Sequence, residues 1–170
     1  MKPVLVLIYG PNGAGKTTVA RALATKYRGL HIQIDLFSSM ARGRFWHTRQ
    51  NNKEKIALVL GILDAAMRET KYHCFFVDGV LIYRFMFDAL EEWCLKRNVN
   101  FVPIYLTGEF TDLDYRLEQR RNLKKNWNES LPKFYKYFHY SQATEINSSQ
   151  KSPKAVMKEI GKIIKKGGAS

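Results

Sequence analysis

The chain has 170 residues, of which 45% are hydrophobic and 13% aromatic, which is enough apolar material for one core of ordinary size. This composition excludes a disordered chain, and no apolar run approaches the roughly 20 residues that span a bilayer. We therefore expect a single domain over residues 1–170 and no membrane segment. Cys74 and Cys94 lie in apolar surroundings without C-x-x-C spacing, which predicts buried free thiols and a cytoplasmic, intracellular protein.

The net charge of +13 is concentrated in two segments. Residues 116–136 carry 7 basic and 2 acidic residues, and residues 151–170 carry 6 basic and 1 acidic residue. Such segments suit anionic ligands, from nucleotide phosphates to nucleic acid. For the second segment, a solvated terminal helix is an equally good interpretation.

Apolar runs typical of strands alternate with helical patterns along the chain. The predicted strands are residues 3–9, 31–35, 74–79, 101–106 and 144–146, and the predicted helices are 16–27, 53–70, 85–97, 112–126 and a last helix from Pro153. This alternation predicts an α/β fold, with a parallel sheet covered by helices on both faces.

A phosphate-binding motif follows the first predicted strand. Gly10-Pro-Asn-Gly-Ala-Gly-Lys-Thr17 fits G-x-x-x-x-G-K-[ST] and leads directly into a predicted helix. The loop backbone and the helix N-terminus can surround phosphate groups. The predicted ATP-binding residues are Gly10, Asn12, Gly13, Ala14, Gly15, Lys16, Thr17 and Thr18. Lys16 can reach the β- and γ-phosphates and the Thr17 hydroxyl can ligate Mg²⁺, so the sequence predicts an ATP–Mg²⁺ site.

The phosphate loop does not by itself distinguish a kinase from a nucleotide switch or a motor. The sequence has no N-K-x-D run to read guanine and no D-x-x-G after the third strand. Small P-loop kinases remain, and these need an acid on the acceptor side, a second carboxylate near Mg²⁺ and a basic lid.

Two aspartates end neighbouring predicted strands. Ligands collect at the carboxyl ends of parallel strands, so Asp35 can accept the proton of an acceptor hydroxyl. The alternative for Asp35 is a turn or helix-cap aspartate. Asp78, before Gly79, can hold Mg²⁺ or help to bind the acceptor.

The basic lid is predicted over about residues 116–136. Arg116 and Arg120 are four residues apart and share one helix face, although this face could also be merely solvated. Arg120 and Arg121 are the candidates to neutralise the transferring phosphate, and Arg116 is a candidate to bind ATP.

An acceptor-side insert is predicted over about residues 36–53. Arg42 and Arg44 could hold an anionic group and Phe37 could stack on a planar one, although the aromatic residues could equally be core. Arg84 can reach the same pocket. Residues 147–153 precede the last helix, where a loop at the adenine edge would lie.

These features resemble the small P-loop kinases of the adenylate-kinase-like group over about residues 3–165. The residues that carry the resemblance are Gly10–Thr18, Asp35, Val77-Asp78-Gly79, the lid arginines and the strand, loop and helix at 144–165. Ile34-Asp35-x-Phe37 with Asp78-Gly79 is similar to nicotinamide riboside and uridine kinases. Asp35 with the lid arginines is similar to 5′-hydroxyl polynucleotide kinases, and chloramphenicol phosphotransferase and zeta-toxin-type kinases share the Asp35 position.

The resemblance implies a three-layer α/β/α fold with a five-stranded parallel sheet of order 2-3-1-4-5. It also implies ATP–Mg²⁺ as donor, Asp35 as general base and a hydroxyl acceptor. From the basic lid we expect the acceptor to be a nucleoside or a nucleic acid. The alternatives are a small-metabolite or antibiotic hydroxyl, or a nucleotide-binding regulatory or RNA-binding protein without phosphotransfer. No protein partner can be inferred from the sequence.

Overall fold

A computed structural model of the chain describes residues 2–37, 48–69, 72–123 and 139–167. One sheet runs through this structure. Its strands are β1 (Val4–Tyr9), β2 (Leu30–Gln33), β3 (Cys74–Gly79), β4 (Asn100–Thr107) and β5 (Thr144–Asn147). All four strand pairings are parallel, and the order β2-β3-β1-β4-β5 confirms the predicted topology.

Helices cover both faces of the sheet. They are α1 (Lys16–Tyr27), α2 (Arg49–Arg68), α3 (Arg84–Lys96), α4 (Phe110–Leu123) and α5 (Pro153–Gly167). Side chains of β1 alternate between two apolar clusters, and all six of its residues are buried. Leu5 and Leu7 pack with α2 and α3, whereas Val6 and Ile8 pack with α1 and α5. The predicted three-layer α/β/α arrangement is therefore confirmed, since β1 reads as a continuous apolar run only because both of its faces are covered.

Two predicted boundaries are wrong. The second strand ends at Gln33, which is level with Asp78 of β3, and the chain then forms a 3-10 turn at Ile34–Leu36. Helix α2 begins at Arg49 rather than near residue 53, because the Thr48 hydroxyl accepts a hydrogen bond from the Asn51 N–H at 3.2 Å and caps the helix. The last residues of the predicted insert are thus helical.

Both cysteines are free thiols; Cys94 is buried, as predicted, whereas Cys74 is only partly buried. Burial raises the pKa of Cys94 to about 12, so its reactive thiolate is suppressed. Within the described ranges, every helix is too short or too polar to cross a membrane.

Gly10, at the end of β1, has φ +143°, and a Cβ placed there would lie 2.0 Å from the carbonyl oxygen of Leu106 in β4. We expect Gly10→Ala to lower the free energy of unfolding by about 2–4 kcal/mol, because β4 and the chain at Gly10 must move apart. Urea denaturation measures this change. The control is Gly61→Ala in α2, where an added Cβ meets no atom within 4 Å, and which should stabilise the protein by roughly 0.5–1 kcal/mol. Equal unfolding midpoints for wild type and Gly10→Ala would contradict the prediction.

Candidate active site

The phosphate loop connects the carboxyl end of β1 to the N-terminus of α1. Gly13 and Gly15 adopt left-handed φ values of +84° and +86°, and Gly15 is the N-cap of α1. A Cβ at Gly13 would lie 2.7 Å from the Leu113 carbonyl oxygen, whereas a Cβ at Gly15 would meet no protein atom within 4 Å. The loop therefore packs against α4 on one side and faces open space at Gly15. A helix N-terminus facing such a space is suited to phosphate.

Lys16 is the first residue of α1, and its side chain folds back across the loop. Its Nζ donates a hydrogen bond to the Pro11 carbonyl oxygen at 3.0 Å, and the residue is only 7% exposed. The ammonium group therefore lies within the phosphate loop, where it can move to a phosphate oxygen without leaving the site.

Asp78 lies at the end of β3 and is fully buried. Its Oδ2 accepts a hydrogen bond from the Thr17 hydroxyl at 2.6 Å, and its Oδ1 lies 2.5 Å from Nε2 of His31. Thr17 and Asp78 thus place two oxygen donors side by side, next to the phosphate loop. This donor set fits Mg²⁺, which takes one or two protein oxygens together with phosphate oxygens and water. The described residues hold no cluster of three or more His, Cys, Asp or Glu side chains for a metal.

Asp35 lies in the 3-10 turn after β2, beside the end of β3. Its Oδ1 accepts the Val80 N–H at 3.4 Å. Gly79 permits this approach, since a Cβ there would lie 2.9 Å from Cβ of Ile34. Burial raises the pKa of Asp35 above its ordinary value, and the nearby Lys16 ammonium opposes the shift. The fold therefore places the Asp35 carboxyl where the charges of Lys16 and Asp78 both act on it.

Two further residues near Asp35 and Asp78 are not apparent from sequence motifs. Lys55 of α2 is 5% exposed, and burial lowers its pKa while Asp35 raises it. His31 of β2 contacts Asp78 as described above. Helical periodicity could have identified Lys55, because it shares the buried face of α2 with Ile56 and Val59. The sequence carries no comparable signal for His31.

Arg116 of α4 connects the phosphate loop to the segment after β5. Its guanidinium donates to the Gly13 carbonyl oxygen at 3.4 Å and to the Ser148 carbonyl oxygen at 2.9 Å. Ser148 is buried, and its N–H donates to the Thr107 carbonyl oxygen at 2.8 Å. Arg116 thus holds together the loop predicted to bind phosphate and the segment predicted to lie at the adenine edge.

The other predicted site residues fall into three groups. Phe37 is half-buried and packs against the core cluster on the α2 and α3 side. Arg84 donates from Nε to Oδ1 of Asp88 in the same helix at 3.2 Å, and its guanidinium lies over the Tyr140 ring. Arg42 and Arg44 lie outside the described residues. The side chains of Arg120 and Arg121 also lie outside the described residues, although their backbone belongs to α4.

Comparison with protein families finds a match over the N-terminal part of the chain. The sequence model of the ATPase family associated with various cellular activities (AAA) matches residues 6–80, a segment that contains the phosphate loop, Asp35 and Asp78. No curated protein matches the sequence.

Solved structures extend the likeness to almost the whole chain. A gluconokinase from Sinorhizobium meliloti has a TM-score of 0.71 and 16% identity, and the match covers 98% of this chain and 95% of that one. An APS kinase from Mycobacterium tuberculosis, in complex with AMPPNP and APS, has a TM-score of 0.70 and 10% identity, with 96% and 98% covered. A shikimate kinase from Acinetobacter baumannii, in complex with shikimate, has a TM-score of 0.60 and 18% identity, with 95% and 93% covered. The chain therefore has the P-loop NTPase fold, which it shares with these structures.

Proposed function

We propose that this protein is an ATP-dependent kinase that transfers the γ-phosphoryl group to a hydroxyl acceptor. The observation that carries the proposal is the position of Asp35, which accepts the Val80 N–H at the end of the strand that carries Asp78 and feels the charge of Lys16 in the phosphate loop. A nucleotide switch needs no carboxylate at this point, whereas a kinase needs a group that accepts the hydroxyl proton.

ATP binding is assigned to the phosphate loop, α1 and Arg116. The loop N–H groups and the Lys16 ammonium would bind the β- and γ-phosphates, and residues 147–153 would lie at the adenine edge. Thr17 and Asp78 would hold Mg²⁺. When bound, Mg²⁺ neutralises negative charge on the phosphate oxygens.

The transfer step requires a correctly placed base. The acceptor oxygen attacks the γ-phosphorus while its proton passes to the Asp35 carboxylate. The bond between the γ-phosphorus and the bridging oxygen breaks, and ADP leaves with the electron pair. The raised pKa of Asp35 makes its carboxylate a stronger base than an ordinary aspartate, and the positive charges of Lys16 and Lys55 favour its ionised form.

For the acceptor we propose a nucleoside or nucleic-acid hydroxyl, on the basis of the basic lid and the arginine- and aromatic-rich insert in the sequence. A small anionic metabolite is the second candidate. It is favoured by the gluconokinase, APS kinase and shikimate kinase structures named above, and by the buried ammonium of Lys55 near Asp35.

The test is transfer of labelled γ-phosphate from ATP–Mg²⁺ to three acceptor sets in parallel. These are a 5′-hydroxyl RNA oligomer, a nucleoside panel, and a panel of hydroxy acids that includes gluconate and shikimate. Label in RNA or a nucleoside supports the first candidate, and label only in a hydroxy acid supports the second. Tight ATP binding with no labelled acceptor, and an ATPase rate unchanged by Asp35→Asn, would overturn the kinase proposal.

His31 is proposed as a positioning residue for Asp78. We expect His31→Leu to raise the Mg²⁺ concentration for half-maximal transfer about 10- to 100-fold, because one of the two hydrogen-bonding contacts of the Asp78 carboxylate is lost. Titration of activity with Mg²⁺ at saturating ATP measures this shift. His31→Gln retains a donor and should shift it less, so an identical Mg²⁺ dependence in His31→Leu and wild type would refute the role.

A further inference from the structure

Helices α1 and α5 form one continuous surface on the same side of the sheet. Both contribute to one apolar cluster, which includes Leu23 and Ile160. They approach closely at Gly161, where an added Cβ would lie 3.0 Å from the hydroxyl of Tyr27. We call this surface the α1/α5 face.

The α1/α5 face is strongly basic. Helix α5 exposes Lys154, Lys158, Lys162 and Lys165, and α1 adds Arg21 and Lys26. Over residues 16–28 and 148–165 the sequence contains a single acidic residue, Glu159, and its carboxylate pairs with Lys151 at 2.9 Å. The six basic side chains therefore have no acidic counterpart left within these segments.

The helices on the opposite side of the sheet differ from this surface. There, Arg84 pairs with Asp88 at 3.2 Å, Lys96 with Glu92 at 2.6 Å, and Arg97 with Asp64 at 2.6 Å. Solubility alone does not require the charges to be divided in this way between the two helical layers. Between the two helical layers that cover the sheet, the excess positive charge lies mainly on the α1/α5 layer, which is the pattern of a surface for an anionic partner.

The geometry of the face suits an extended polyanion. Lys154, Lys158 and Lys162 are four residues apart on one side of α5, and with Lys165 they form a row about 17 Å long at 1.5 Å per residue. One strand of a nucleic acid carries a phosphate about every 3.4 Å, so such a row can contact several phosphates at once.

A membrane surface is the less suitable partner. A helix that binds a bilayer inserts apolar side chains, but Val156, Ile160 and Ile164 of α5 are buried in the core. Among the described residues, the large exposed apolar side chains lie on other elements, and they are Leu36, Leu58, Leu95, Phe110 and Tyr115.

We infer that the α1/α5 face binds the phosphate backbone of a nucleic acid, without sequence specificity. The inference is independent of the proposed kinase activity, because none of these six side chains is assigned to the catalytic site. The face would recruit or retain a nucleic acid whatever the acceptor of the phosphoryl group is.

The test is fluorescence anisotropy of a labelled oligouridylate long enough to span both helices, measured over a series of salt concentrations. We expect Lys158→Gln/Lys162→Gln to weaken binding about tenfold near physiological salt, and to reduce the slope of log K against log[salt] by about 1.4. The matched control is Arg68→Gln/Lys96→Gln, which removes the same charge from α2 and α3 and should change binding little. Binding of a fluorescent ATP analogue to each variant shows that the fold and the nucleotide site are intact.

Equal weakening by the two double variants would overturn the inference, because it would mean that only net charge matters. No measurable binding of wild type to the RNA would also overturn it. So would binding to phosphatidylserine vesicles without binding to RNA. A labelled single-stranded DNA of equal length distinguishes the two nucleic acids. If the wild type binds RNA but transfers no phosphoryl group to any acceptor, that result would count against the kinase proposal alone.

Discussion

Replacing Asp35 by asparagine is expected to lower the rate of phosphoryl transfer about 10²- to 10⁴-fold, with ATP affinity nearly unchanged. Asparagine keeps the size of the side chain and an oxygen for the Val80 N–H, but it cannot accept the proton of the acceptor hydroxyl. Steady-state transfer assays with the acceptor that becomes labelled in the test above, together with calorimetric titration of ATP, separate the two effects. A variant that retains more than half of the wild-type rate would exclude Asp35 as the general base.

The same substitution should not destabilise the protein at neutral pH. Burial raises the pKa of Asp35, so the folded state favours the protonated form. The stability that this carboxyl contributes is present below its pKa in the unfolded chain, and it is lost as pH rises through its higher pKa in the folded state. Burial therefore disfavours the ionised form of Asp35 in the folded state, and asparagine removes this charge. The melting temperature of Asp35→Asn should equal or exceed that of wild type, so that lost activity cannot be attributed to unfolding.

The pH dependence of wild-type transfer follows from the same shift. Activity should fall on acidification as Asp35 becomes protonated, with a midpoint above the ordinary aspartate pKa of 3.8. In Asp35→Asn the residual rate should lose this acid limb. An acid limb that persists unchanged in the variant would assign the titrating group elsewhere.

Lys16→Met is expected to have the second large effect. Methionine preserves the length and the apolar stem of the side chain but removes the ammonium group that lies across the phosphate loop. Loss of charged hydrogen bonds to phosphate should raise the Kd for ATP about 10- to 100-fold, at roughly 1.5–3 kcal/mol. Transfer should fall further, by about 10³-fold in total, because charge on the γ-phosphate is no longer stabilised during the reaction.

Equilibrium binding of ATP and of ADP distinguishes the role of Lys16 from a general loss of structure. The control is Lys96→Met on the exposed surface of α3, which removes one charge far from the loop and should leave both binding and transfer unchanged. Wild-type ATP affinity in Lys16→Met would show that the ammonium does not contact the phosphates.

The general architecture was predictable because its signals are local. A buried parallel strand must be apolar along its length, and the phosphate loop needs glycines at fixed intervals before a helix, so β1 and residues 10–17 are recognisable from consecutive residues. The strand order followed from the resemblance to small P-loop kinases, and it is confirmed. The ends of β2 and α2 were predicted incorrectly, since a 3-10 turn and a single threonine cap change the boundary without changing the apolar pattern.

The pairings that build the candidate site depend on long-range packing. His31 meets Asp78 because β2 lies beside β3 in the sheet, although 47 residues separate them. Arg116 meets Ser148 because α4 follows β4 and Ser148 follows β5, and these two strands are parallel neighbours in the sheet. Lys55 appears beside Asp35 only when α2 packs on the turn after β2. A sequence motif indicates which groups one loop can supply. The partners and charges around each group arise only when elements that are distant in the chain pack together.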